Sequence, residues 1–193
     1  MSTEPVTNSD VFLWALYDLG GGAEFIDVES AFIKAFELAP LRLSWRTRAD
    51  LPDLKKCSKA LRDAEGREPR LLVKKGAEQR RLTVEGQRWI EQNFDRLAEA
   101  LCGDRPVRAP GTRVPSRLVS QALQTPVFTT WAETGTITVE KWRVAEMLRC
   151  SPDSSSVVFR ERLETLRGSA YAAGRLDALK FLDALGTVRA DWF

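Results

Sequence analysis

Between Pro52 and Gly86 the chain changes its hydrophobic period within a few residues, and few folds accommodate that change. Leu54, Cys57, Ala60, Leu61 and Ala64 fall on one side of a helix, while Lys55, Lys56, Ser58, Lys59, Arg62 and Asp63 fall on the other. Asp53, directly after Pro52, stands where an N-cap is needed. Leu71, Leu72, Val73, Lys74 and Lys75 then form a run too short for a helix and apolar enough for a strand. Gly76 to Gln79 reads as a turn, and Arg80, Arg81, Leu82 and Thr83 as a returning strand. The expectation is a basic helix over 53–64 followed at once by a basic hairpin over 70–83.

Charge is distributed to match. The whole chain of 193 residues carries a net charge of only +2. Residues 1–39, however, hold seven acidic residues against one basic, and residues 40–90 hold fourteen basic against seven acidic, a local balance of +7. A positive excess concentrated on one helix and one hairpin is what a phosphate backbone attracts.

The remaining segments read as helices. Asn8, Ser9 and Asp10 are N-cap candidates for a helix over Val11–Leu19, apolar nearly all round and stopped by Gly20, Gly21 and Gly22. The triplet lacks the spacing of a phosphate-binding glycine loop. Asp27 caps a second helix through Leu38, ended by Pro40. In the long connection that follows, Trp45 is expected to pack on the second or third helix, and Arg46 and Arg48 to stand just before the basic helix, placed for phosphate contacts. Thr83 caps a helix with Trp89, Ile90, Phe94, Leu97, Ala98 and Leu101 inward and Gly103 as its stop.

Three prolines and two glycines mark 103–115 as a linker between a domain over 1–102 and an all-helical domain over 116–193. In the latter, Ser116 starts a short helix, Val127–Trp131 suggests another, and Thr138 is placed to cap Val139–Arg149 with Trp142, Ala145 and Leu148 on one face. From Ser154 to Leu185 the pattern is one long helix or two joined near Gly168 or Gly174, with Gly186 as its end. Its stripe of leucines serves as a small core, or as a seam for a homodimer or partner protein. Trp192 and Phe193 read as a packed tail.

Composition narrows the chemistry. The chain has no histidine, which removes the usual general base and every imidazole-activated nucleophile. Cys57, Cys102 and Cys150 have no zinc-ligand spacing and read as reduced thiols. No cofactor and no metal are expected, and no catalysis. A carboxylate–metal site drawn from Asp177, Asp183, Glu161 and Glu164 is the one enzymatic alternative. No apolar run approaches the roughly 20 residues that span a membrane, and the first residues lack the pattern of a secretory signal, so a cytoplasmic protein with no membrane partner is expected.

The elements carrying the strongest pattern, Phe12–Gly21, Lys55–Ala64, Leu71–Val73 and Arg81–Gly86 with its Leu-Thr-Val-Glu-Gly ending, together resemble the winged helix-turn-helix modules of bacterial transcription regulators and of DNA-binding subunits in restriction and phage-defence systems. The resemblance covers only the N-terminal half. It implies a mainly α fold with a small β-hairpin wing, followed here by a helical C-terminal domain, and a partner in double-stranded DNA. Lys55, Lys59 and Arg62 would then face the groove, with Arg62 able to read guanine bidentately and Ser58 at the edge of the face. Lys56 would support them, and Lys74, Lys75, Arg80 and Arg81 would meet phosphates or the minor groove. The runner-up is a winged-helix adaptor that binds protein.

Overall fold

Thr7 begins the first helix. Its hydroxyl accepts the Asp10 N–H while the Asp10 carboxylate accepts the Thr7 N–H, a reciprocal cap that starts α1 (Asn8–Asp18) one residue upstream of the expected caps. A computed structural model describes residues 5–103, 116–137 and 139–193. It divides into two compact units, Met1–Thr112 and Arg113–Phe193.

In unit 1, α1 is the core. Val11, Phe12, Leu13, Trp14, Ala15 and Leu16 are all inaccessible to solvent, which accounts for a helix apolar on every face. Around it pack α2 (Val28–Leu38), α4 (Leu54–Glu65) and α5 (Val84–Cys102). Phe12 meets Phe32 edge-on, and Trp14, Tyr17 and Phe94 form an aromatic cluster. Each such ring contributes about 1.5–3 kcal/mol by burial, so Phe12→Ala is the kind of change this core tolerates least.

Asp27 and Asp53 cap α2 and α4 as expected, each carboxylate accepting two backbone N–H groups of the first turn. Between them, Pro40 does more than end α2. It opens a one-turn helix, α3 (Pro40–Leu43). The chain then pairs with itself at Ser44 and Pro52, and the Leu43 carbonyl accepts the Asp53 N–H at 2.7 Å.

The sheet has three strands, in the order β1-β3-β2: β1 (Ile26–Asp27), β2 (Leu72–Lys75) and β3 (Gln79–Leu82), all antiparallel. The hairpin was expected, and Gly76, at φ +63°, makes its turn. The two-residue β1 was not. It pairs Ile26 with Arg80 and Asp27 with Gln79, which makes β3 the central strand.

Thr83 ties the foot of the hairpin to α5. Its hydroxyl donates to the Arg70 carbonyl at 2.8 Å and accepts the Gly86 N–H at 2.9 Å, and its own N–H donates to the Leu71 carbonyl. A Cβ at residue 86 would lie 2.2 Å from that same Leu71 oxygen. The Leu-Thr-Val-Glu-Gly ending is therefore a packing requirement: only glycine lets α5 come this close to the start of β2.

A second tie, this one ionic, holds α1. Arg67, between α4 and β2, donates to Ser9 and to the Asp10 carboxylate, and stacks over Trp89 of α5 at 4.9 Å; Arg96 approaches Asp10 at 3.6 Å. Burial alone would push the Asp10 carboxyl up, but the Thr7 amide and the Arg67 guanidinium together hold it below the ordinary aspartate value.

Unit 2 is helical: α6 (Arg117–Ala122), α7 (Pro126–Thr134), α8 (Lys141–Leu148), α9 (Ser156–Ala172) and α10 (Leu176–Val188). The expected Ser116 cap is present, and the joint of the last two helices is at Gly174, not Gly168. Thr138, the expected cap of α8, lies outside the described residues, as do positions 104–115 of the expected linker; Glu140 occupies the N-cap position. Trp142 is exposed because α8 turns Val144, Ala145, Met147 and Leu148 inward instead. The helix passes through Gly186 to Val188, so that glycine is no terminator.

The leucine stripe of α9 and α10 is consumed inside unit 2, where Phe159, Leu163, Leu166, Leu182 and Leu185 are buried. Phe181 adds an aromatic cluster with Phe128 and Trp131, and Phe193 packs its ring near Phe159. Arg167 clamps the pair by bonding Glu164 and Asp183.

Candidate nucleic-acid interface

Helix α4 turns Cys57, Ala60, Leu61 and Ala64 into the core and leaves Lys55, Lys59 and Arg62 exposed. These three lie at i, i+4 and i+7, one above another on a single face. Among the described residues none of them makes an ion pair. Asp63, four residues after Lys59, makes none with it either. Like charges at this spacing cost a few tenths of a kcal/mol in an isolated helix, so the face is one whose charges find no relief within the described fold. Ser58 lies half-buried at its edge. Leu54, expected inward, is instead exposed, because it is the first residue of the helix and precedes the packed stripe.

The helix N-terminus itself is not an open anion site, since the Asp53 carboxylate already accepts the Lys55 and Lys56 amides. Lys56 is also committed: its ammonium donates to the Ser44 carbonyl at 2.7 Å and so holds the preceding loop. Cys57 is buried, and burial, with the nearby Asp53 carboxylate, raises its thiol pKa, leaving it inert.

In the loop before α4, Arg46 is exposed and has no ion-pair partner among the described residues. Arg48 differs. Its guanidinium grips Asp50 with two hydrogen bonds at 2.9 and 2.7 Å, which neutralises it locally. Trp45, expected to pack on a helix, is 52% exposed, with its indole N–H donated to the Pro52 carbonyl at 2.8 Å.

The hairpin requires the largest correction. Arg80 and Arg81 are only 6% and 2% exposed, and neither offers its charge to a ligand. Side chains alternate across a strand, and in the central strand both faces are covered. Arg80 bonds Glu65 of α4 and the carbonyls of Ala77 and Gln79. Arg81 donates to the Gly22 carbonyl at 3.0 Å, and burial drives its pKa down to about 10 against a weak pull from Glu24. Lys74 is exposed but shares Glu65 at 3.9 Å, and Lys75 lies 5.6 Å over the Phe25 ring.

Sequence reasoning missed Arg42. It is exposed on α3, without an ion-pair partner among the described residues, and lines a shallow cleft of about 560 Å³ with Thr7, Asn8, Lys56, Lys59 and Asp63. Its membership in the basic segment was the available signal; the one-turn helix that projects it was not readable.

Elsewhere three of the four acidic groups weighed for a metal are engaged: Asp177 with Arg175, and Glu164 and Asp183 with Arg167. Among the described residues no three histidine, cysteine, aspartate or glutamate side chains converge on a metal position. No described helix is long and apolar enough to cross a membrane. No protein-family model matches the chain, and neither a curated protein nor a solved structure matches it significantly.

Proposed function

We propose that unit 1 is a winged helix-turn-helix that binds double-stranded DNA without catalysis, as a transcription regulator or as the DNA-binding subunit of a defence system. One observation carries the reading: α4 presents Lys55, Lys59 and Arg62 on one exposed face with no carboxylate to neutralise them among the described residues. Its supports are the hairpin that follows α4 directly and the third strand that closes the sheet behind it. In this reading α4 enters the major groove and Arg46 meets the flanking backbone. Three lysines and arginines on a face poor in amides grip backbone first and read sequence second. The wing contributes little, because its arginines are buried and its lysines engaged.

The test is an electrophoretic mobility shift with random-sequence duplex DNA across a salt series. Four cations (Arg46, Lys55, Lys59 and Arg62) on four phosphates predict a slope of about −3.6 for log affinity against log salt. Lys55→Glu/Lys59→Glu should lose about tenfold or more in affinity at low salt. Unchanged binding in the double variant, or no binding at low salt in the parent, sinks the proposal.

A further inference from the structure

We infer that unit 1 also associates with a second copy of the chain, head to tail, the apolar and basic surface around residues 41–54 receiving the acidic outer face of α2. Leu41, Trp45, Leu51 and Leu54 are 93%, 52%, 45% and 58% exposed. They make up four of the ten large hydrophobic side chains exposed among the described residues, gathered within one short stretch. Three leucines standing in solvent gain nothing from a sugar–phosphate backbone, and an exposed cluster of this kind marks a protein contact.

The surface is also held ready. The Trp45 N–H donates to the Leu51 carbonyl, its indole to the Pro52 carbonyl, and Lys56 grips Ser44 from below. A segment ordered before its partner arrives loses little entropy on binding, and Trp with Arg is the usual composition of an anchor point. Arg42, Arg46 and Lys55 stand among these apolar groups without ion-pair partners among the described residues, so that a second copy would compete with DNA for Arg46 and Lys55, while the two carboxylates of the stretch are engaged, Asp50 by Arg48 and Asp53 by the Lys55 and Lys56 amides.

The complement is on the same molecule. Glu29, Ile33 and Glu37 lie at i, i+4 and i+8 on the solvent face of α2, with Ile33 55% exposed at the centre. Glu29 has no ion-pair partner among the described residues, and Glu37 has only a distant one, Lys34 at 3.9 Å. An apolar residue flanked by carboxylates matches apolar residues flanked by cations. The pairing joins two different surfaces, so it is heterologous and propagates into a ring or an open chain instead of closing as a two-fold dimer.

Sedimentation of the full chain over a concentration series tests this. At low salt the average mass should rise above the 21.7 kDa of one chain and return to it in high salt. Glu29→Lys/Glu37→Lys and Arg42→Glu/Arg46→Glu should each stay monomeric alone, and an equimolar mixture should associate again, because each then supplies the charge the other lost. Leu41→Ser/Leu54→Ser should also be monomeric, with unchanged circular dichroism, since both side chains are exposed. A monomer at every concentration in low salt, or association that survives both charge reversals, overturns the inference. So does a monomeric parent whose leucine variant loses duplex affinity, which would assign the surface to DNA.

Discussion

Helix α4 and the β2–β3 hairpin each carry four lysine or arginine residues, and in the folded chain those two sets have opposite fates. On α4, three of the four project into solvent with no ion-pair partner among the described residues, and the fourth braces a loop. On the hairpin, two are buried, one shares a carboxylate and one rests on an aromatic ring. The difference comes from geometry. A helix with one buried stripe leaves most of its circumference wet, whereas a central strand in a covered sheet leaves nothing wet. Charge run for charge run, a helix advertises and a central strand conceals.

That contrast can be broken at its strongest point first. Arg81→Ala should destabilise the protein by about 3 kcal/mol or more in urea unfolding, since it opens a cavity and strips the Gly22 carbonyl of its donor. Arg80→Ala should cost about 2 kcal/mol by leaving Glu65 without its main partner. Lys55→Glu/Lys59→Glu should stay within about 0.5 kcal/mol of the parent. A neutral Arg81→Ala would show that hairpin and helix cations do not differ in role.

Next in size is Asp10. Its folded pKa is depressed, so its contribution is present above the ordinary aspartate value of 3.8 and is lost as pH falls through the lower folded value. Asp10→Asn should cost about 2 kcal/mol at neutral pH, and the gap between parent and variant should close in strongly acidic solution. A gap independent of pH would mean the carboxylate's charge is not what Arg67 and Arg96 recognise.

The smallest effect sharpens the comparison within the basic region itself. Asp50→Asn frees Arg48 from its bidentate partner, and under the DNA reading the salt slope should steepen by about 0.9 with stability unchanged. An unchanged slope would place Arg48 away from the backbone that Arg46 meets.

How much of this was legible in the sequence depended on whether a signal was local. Asp27, Asp53, Thr83 and Gly103 were readable as caps because a cap needs only its own neighbours, and all four stand at helix boundaries. The hairpin was readable from Gly76 between two short runs. Strand β1 was not, because two residues carry no period, and without it β3 looks like an edge strand whose arginines face water. Trp45 was expected on the second or third helix; its hydrogen bonds instead go to its own loop, from the indole to the Pro52 carbonyl and from the backbone N–H to Leu51. Leu54 was placed in an apolar stripe by spacing, yet it opens its helix, ahead of the turns that pack. Of the candidate interface, the exposure of Lys55, Lys59 and Arg62 on α4 was legible, whereas the commitment of Lys56 to the Ser44 carbonyl was not. The loop was half legible, since nothing in the spacing distinguishes free Arg46 from Arg48, which folds back on Asp50.

The tie between Asp10 and Arg67 has a kinetic side. The two residues are 57 apart in the chain, and the carboxylate also reaches Arg96 of α5. In chain order helix α1 precedes α4, Arg67 and α5, the segments that cover its core-lining face and hold its buried carboxylate. Contacts of such long separation form late and slowly. The central helix is therefore expected to be among the last to become protected from hydrogen exchange during refolding, its locking coming only once α5 is in place.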